Sequence, residues 1–228
     1  MFSPIKREIK RLFYNFKERR KSILLKNKVI INKETKLAGN NKIYSGTNIS
    51  NSFIGFGTYI SNDCDLRNTV IGRYSCIAPD VKVVFGSHPI TKFVSIHPAF
   101  YSTHCQAGFT FVDNNKFFEH KFADVLNSKS VIIENDVWIG QGVRIMAGVK
   151  IATGSVIGAG AIVTKNTEPY SINLGIPAKK VGYRFDEDQI EFLLKYEWWE
   201  KDMSWLKNNQ QLFEDVELLY EKFCSKKD

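Results

Sequence analysis

Between Val131 and Thr167 the hydrophobic positions recur every six residues. Aliphatic side chains stand at Ile133, Ile139, Ile145, Ile151, Ile157 and Val163, and four places after each comes Val137, Val143, Val149, Ser155, Ala161 or Thr167, all small or β-branched. Three places after each comes Asp136, Gly142, Gly148, Gly154, Gly160 or Asn166, residue types that accept positive φ at low cost. A period of six is neither the 3.6 of a helix nor the alternation of a hairpin strand, and it fits short strands joined at sharp corners. The pattern predicts an all-β solenoid in which each hexapeptide forms one side of a prism and three sides make a coil. One coil cannot bury its inward face alone, so stacked neighbours complete a continuous aliphatic core.

The same pattern begins earlier, at Ile43, and runs through Ile49, Ile54, Ile60, Leu66, Ile71, Ile77 and Val83, with two steps of five residues instead of six. Four places after the first seven stand Thr47, Phe53, Thr58, Cys64, Val70, Ser75 and Val81, of which only Phe53 is neither small nor β-branched. The two short steps leave the register of these early coils open. Residues 85–130 break the repeat completely. Long excursions from compact domains are functional or disordered as a rule, and nine aromatics in this one argue for burial rather than disorder. After the repeat, GIPAKKVGYRF at 175–185 closes the prism, and Asp186 with Gln189 has the spacing of a capping box. Two helical segments are expected over 187–225, broken around Met203 to Asn209 and packed on the solenoid. The expected layout is an N-terminal arm (1–42), first coils (43–84), an inserted loop (85–130), later coils (131–185) and C-terminal helices (186–228).

Charge changes the picture at one end only. Residues 1–28 hold ten Lys/Arg against Glu8 and Glu18, which accounts for the whole net charge of +8. Phe2, Ile5, Ile9, Leu12, Phe13 and Phe16 fall at helical spacing among these cations, so the arm reads as a basic amphipathic helix. Such a helix lies on an anionic membrane surface or packs on its own protein or a neighbouring subunit. Nucleic-acid binding is not expected, since the remaining charge is balanced and no recognition motif is present. No apolar run approaches the ~20 residues that cross a bilayer, and the N-terminus lacks the apolar core of a signal peptide. The expected location is the cytoplasm, peripheral at the inner face of the membrane if the arm binds there. Cys64, Cys76, Cys105 and Cys224 lack CxxC spacing, so reduced thiols are expected rather than a disulfide or metal framework.

All four histidines, His88, His97, His104 and His120, lie in the 85–130 loop. Histidine is the natural general base near neutral pH, because its unperturbed pKa is about 6.5. The repeat resembles the hexapeptide-repeat acyltransferases, and Gly86-Ser87-His88-Pro89 resembles the loop motif that carries their catalytic histidine. The wider run FGSHPITKFVSIHPAFYS is similar to the branch of xenobiotic and surface-polysaccharide O-acetyltransferases. Val137-Trp138-Ile139-Gly140, the GAIVTK run at 160–165 and Ile176-Pro177-Ala178-Lys179 extend the resemblance.

The resemblance implies a left-handed parallel β-helix that acts as a homotrimer and transfers acetyl directly from acetyl-CoA to a saccharide hydroxyl, with no metal. It implies His88 as general base, with His97 as the rival base or an acceptor-orienting residue. His104 and His120 are expected to be structural, and His104 beside Cys105 is not expected to form a nucleophile pair. Gln141, Ala159, Thr164, Lys165 and Lys179 match positions that line coenzyme A, and Trp138 is expected to wall the same groove or to touch a neighbouring subunit. The acceptor stays open: a surface polysaccharide or its lipid-linked precursor, an antibiotic of the chloramphenicol or streptogramin type, or an amino sugar nucleotide. A non-catalytic solenoid scaffold is the reading from a different class.

Overall fold

The computed structural model describes residues 4–224, so Phe2 and the side chain of Ile5 in the expected apolar stripe lie outside it. The chain folds as a left-handed parallel β-helix, capped at one end by helix α1 (Pro4–Lys17) and at the other by helices α2 (Glu187–Tyr196), α3 (Met203–Asn208) and α4 (Val216–Cys224). The first face of the prism carries Leu25, Ile43, Ile60, Ile77, Ile139 and Ile157 in parallel register. The third carries Leu37, Ile54, Ile71, Ile133 and Ile151. On the second, Val83, Ile145 and Val163 are paired, with isolated bridges continuing the ladder through Ile30, Asn48 and Asp65. Every aliphatic residue paired within these strands is buried, while the strand residue before it faces outward.

The five-residue steps do not disturb the register. Both fall at the corner between the second and third faces, Ile49 to Ile54 and Leu66 to Ile71, so two successive coils are short at the same place and still stack. This also accounts for Phe53. A corner one residue shorter brings Ser52 and Thr69 inside, where both are buried, and leaves Phe53 half outside at the start of the next strand. The buried hydroxyls tie neighbouring rungs together: Ser52 Oγ donates to the Leu66 carbonyl at 2.8 Å and accepts from Thr69 N–H at 3.0 Å. Thr58 does the same between Gly72 and Ser75, at 2.7 and 2.9 Å. A polar group enclosed in an aliphatic prism stays there only when paired in this way. Asp136, Gly142, Gly148, Gly154 and Gly160 take positive φ at their corners as their types suggest. Gly55 shows why a side chain is excluded between coils, since an added Cβ would lie 2.4 Å from the carbonyl carbon of Gly72.

The solenoid starts inside the segment expected to be the N-terminal arm. Leu24–Leu25 and Lys36–Leu37 are already strands of the stack. Leu25, Ile31 and Leu37 keep the six-residue spacing back from Ile43, a signal hidden by the outward lysines around them. At the other end, α2 begins with the expected box, Gln189 Oε1 accepting from Asp186 N–H at 3.2 Å. The break expected around Met203 to Asn209 is instead the short helix α3. Asp202 starts it by accepting from Trp205 N–H at 2.7 Å. Trp198 and Trp199 pack in this cap, with Trp198 against Tyr74 and Phe213. All four cysteines are free, and burial pushes the Cys64 thiol up to about 11.

If the first coil is integral to the stack, Leu37→Ala should destabilise the protein by about 2–5 kcal/mol, as truncation of buried leucines does. The exposed neighbour Lys36→Ala should stay within about 0.5 kcal/mol. Urea unfolding of both variants checks the assignment, and equal losses would refute it.

Candidate active site

The loop leaves the solenoid after Lys82–Val84 and re-enters at Val131–Ile133, so it emerges from the corner between the second and third faces. It has little regular structure and is held by side chains. Tyr101 is fully buried beneath it, edge-on to Phe93 and Phe117. Ser102 Oγ donates to Glu119 Oε2 at 3.0 Å, and Ser87 Oγ donates to the Glu119 carbonyl at 3.2 Å, which joins the two limbs. His88 stands at the rim of this packed base, with Pro89 buried behind it.

The two ring nitrogens of His88 are differentiated. Nδ1 lies 2.9 Å from the Ile96 carbonyl and 2.7 Å from the Tyr101 hydroxyl. A carbonyl oxygen only accepts, so the first contact assigns the proton of the neutral ring to Nδ1. The Tyr101 oxygen lies on the same side. Burial, with a smaller effect of the Glu119 carboxylate, raises the pKa of that phenol, so it stays protonated. Nε2 is left as the unprotonated nitrogen, on an exposed residue. This is the arrangement a general base requires: one nitrogen held, the other a free acceptor.

His97 is held in the opposite sense. Its Nδ1 accepts from Ala99 N–H at 3.3 Å and caps the short 3-10 turn Pro98–Phe100, which puts the neutral ring's proton on Nε2. Its ring stacks on Phe109 at 5.8 Å and lies edge-on to Phe100. His104 uses its backbone N–H, which donates to Ser102 Oγ, and His120 lies edge-on to Phe118. Cys105 is exposed, its thiol directed at the Thr103 carbonyl. Among the described residues no group of three or more His, Cys, Asp or Glu is placed to hold a metal ion.

Two of the expected carrier-lining residues lie at a different corner, between the first and second faces. Gln141 and Ala159 occupy this corner on successive rungs, with Gly160 N–H donating to the Gln141 carbonyl at 2.8 Å. Gly140 stacks so tightly on Ala159 that an added Cβ would lie 2.5 Å from its nitrogen. Beside them, a Cβ on Gly142 or Gly160 would meet nothing within 4 Å, so the outer lip of the corner is an open shelf of bare backbone. Trp138 projects from the adjoining face, half exposed, in register with Cys76 and Val156. Thr164 and Lys165 follow the strand Ile162–Val163 and stand at the corner between the second and third faces, whereas the Ile162 carbonyl accepts from Ala178 N–H at 2.8 Å and brings Lys179 to the shelf side of that strand. Lys165 and Lys179 are exposed and form no ion pair with the described residues, whereas the adjacent Lys180 is bound to Glu168 at 2.8 Å.

The structure thus gathers Gln141, Ala159 and Lys179 with Trp138 along one edge of the second face, and sets Thr164 and Lys165, with the loop that carries His88 and His97, at its other edge. Tyr101 and the Ile96 carbonyl, which hold His88, were not singled out from the sequence. A backbone acceptor has no sequence signature, and Tyr101 is one aromatic among several in the loop.

A parallel solenoid of short hexapeptide strands, with a histidine on an inserted loop and an open glycine shelf, defines a class of transferase scaffold. Residues 130–165 match the family described as bacterial transferase hexapeptide (six repeats). The chain is 32% identical over 165 residues to a chloramphenicol acetyltransferase of Agrobacterium fabrum, covering 72% of this chain and 74% of that one. It is 49% identical over 88 residues to a probable macrolide acetyltransferase of Lysinibacillus sphaericus, a match that spans 39% of this chain and 46% of the relative. Among solved structures, a hexapeptide-repeat acetyltransferase of Vibrio cholerae in complex with acetyl coenzyme A aligns with a TM-score of 0.44 and 22% identity, over 76% of each chain. The chain belongs to the hexapeptide-repeat acyltransferase superfamily, and within it to the acetyltransferases.

The hydrogen bonding of the loop makes a direct prediction. Nitrogen-detected NMR of the neutral rings should find His88 protonated at Nδ1 and His97 at Nε2. Tyr101→Phe should leave the His88 tautomer unchanged, because the Ile96 carbonyl remains. The reverse tautomer at His88 would remove its geometric claim to be a base.

Proposed function

We propose that this acetyltransferase moves an acetyl group from acetyl-CoA directly onto a hydroxyl of a sugar, in a surface polysaccharide or its lipid-linked precursor, with His88 as general base. The observation that carries the assignment is the fixed Nδ1 of His88, which leaves Nε2 free to take the acceptor proton. In this reaction the acceptor oxygen attacks the thioester carbonyl as its proton passes to Nε2. The tetrahedral intermediate then collapses, the C–S bond breaks, and the imidazolium returns the proton to the leaving thiolate. His97 orients the loop and the acceptor, since its own Nδ1 is engaged by backbone. The half-exposed rings of Phe100 and Phe109, with the more open Phe111, offer faces on which a sugar ring stacks.

The carrier would lie along the shelf of Gly142 and Gly160, with Gln141, Ala159 and Trp138 beside it and Thr164 across the second face. The unpaired ammonium groups of Lys165 and Lys179 suit its phosphates. Because the shelf and the His88 loop stand on different corners of one chain, the site is best completed between two copies, the loop of one approaching the shelf of the next. A threefold ring closes that arrangement, and the working unit in this proposal is a homotrimer. The relatives that act on chloramphenicol and macrolides support a second reading, in which the acceptor is the hydroxyl of an antibiotic.

Thiol release from acetyl-CoA, measured against saccharides, lipid-linked oligosaccharides, chloramphenicol and a macrolide, tests both readings. His88→Ala should lower turnover by about 10²–10⁴ while acetyl-CoA still binds. His97→Asn should keep most of it. Undiminished turnover in His88→Ala would overturn the base assignment, and preference for a drug over every saccharide would select the second reading.

Loss of the two unpaired cations has a separate signature. Lys165→Glu with Lys179→Glu should raise the KM for acetyl-CoA by about 10-fold or more, with a smaller change in kcat, as removal of charge-assisted bonds to a bound anion does. An unchanged KM would move the phosphate end of the carrier elsewhere.

A further inference from the structure

Helix α1 is attached to the solenoid by its polar side. The first rung ends in an edge whose backbone groups need partners, and Asn15 supplies both kinds. Its Oδ1 accepts from Leu25 N–H at 2.9 Å, and its Nδ2 donates to the Leu25 carbonyl at 3.0 Å. Arg11 donates to the same carbonyl at 2.9 Å, and Glu8 accepts from Lys28 N–H at 3.2 Å while holding the Arg11 guanidinium at 2.7 Å. Tyr14, half-buried against the aliphatic core, completes this face, and burial pushes its phenol up to about 12. Residues 8, 11, 14, 15 and 18 share one side of a helix, so the opposite side points away.

That opposite side is the apolar one. Ile9 is 60% exposed, Leu12 57%, Phe13 68% and Phe16 78%. A surface helix ordinarily buries its apolar stripe against the core, and here the orientation is reversed. Turning the stripe inward would strip the Leu25 backbone of its Asn15 and Arg11 partners.

The charge around the stripe has one sign. Residues 1–28 hold ten cations and two carboxylates. Both carboxylates are engaged locally, Glu8 by Arg11 and Glu18 by Lys21 at 2.8 Å. Arg19, Arg20 and Lys21 are exposed just past the helix end. A second copy of the chain meeting this face would bring another arm of the same strong positive charge against it. An anionic lipid surface offers the two things the face lacks, apolar depth for the stripe and negative charge for its surround.

We propose that α1 docks the protein onto an anionic lipid surface, lying in the headgroup plane with Ile9, Leu12, Phe13 and Phe16 inserted. This goes beyond the acetyl-transfer reading and does not depend on it, since lipid binding is measured with no acceptor present. If that reading holds, the docked enzyme works on acceptors carried at the membrane.

The test is co-sedimentation of the full chain with vesicles of phosphatidylcholine alone or with about one third phosphatidylglycerol, at low and high salt. Wild type should pellet with the anionic vesicles, bind the neutral ones at least tenfold more weakly, and lose affinity as salt rises. Phe13→Glu with Phe16→Glu should lower the anionic-vesicle affinity at least tenfold, while circular dichroism, acetyl-CoA binding and light-scattering mass stay as in wild type. Arg19→Glu with Arg20→Glu should remove most of the salt dependence. Failure of wild type to bind anionic vesicles, or equal binding by the phenylalanine variant, would overturn the proposal. A change of mass in the phenylalanine variant would also overturn it and would identify the face as a contact between copies.

Discussion

Each inward aliphatic side chain sits directly on its counterpart one coil away, and the rest of the structure depends on that stacking. Ile43 lies under Ile60, Ile60 under Ile77, Ile77 under Ile139 and Ile139 under Ile157, in unbroken parallel register. The restriction is on where a coil varies rather than on its length. The two short early coils are tolerated because both lose their residue at one corner, and the buried hydroxyls of Ser52 and Thr69 move inward to fill it. The long loop leaves from this same corner, so the ladder from Ile77 to Ile139 runs past it undisturbed.

That rigidity gives the loop its chemical value. A catalytic side chain on an irregular segment is useful only if its orientation is fixed. Here the orientation is fixed by a small number of contacts: the buried ring of Tyr101 between Phe93 and Phe117, the Glu119 link to Ser87 and Ser102, and the Ile96 carbonyl at Nδ1. The aromatics that made disorder implausible are thus divided into two groups. Tyr101, Phe93 and Phe117 pack beneath His88, whereas Phe100, Phe109 and Phe111 stay at the surface around His97.

How much of this was readable in the chain depended on whether a feature repeats. The coils from Ile43 and from Val131 announce themselves by period, and His88 by its motif. The first coil has the same period through Leu25, Ile31 and Leu37, yet the outward lysines gave that segment the look of a charged arm. In a solenoid the outward residues are free to be anything, so composition there misleads while spacing does not. The short corner at Ser52 was invisible for a related reason: spacing counts residues and cannot say which of two neighbours turns inward. The partners of His88 are a backbone carbonyl and a tyrosine thirteen residues away, and neither follows from local pattern.

The orientation of α1 illustrates the same limit more sharply. Its amphipathic spacing was plain, but amphipathicity alone says only that the two faces differ, and burial of the apolar face is a default rather than a law. The outcome was set by what the helix lies against. The first rung of a parallel stack offers backbone donors and acceptors at its rim, which a stripe of Leu and Phe cannot satisfy and Asn15 with Arg11 can. An unpaired backbone group buried under a helix costs about as much as a hydrogen bond, while an exposed apolar side chain is common on protein surfaces. The polar face therefore takes the inner position, and a grouped apolar face in a field of cations is what remains outside.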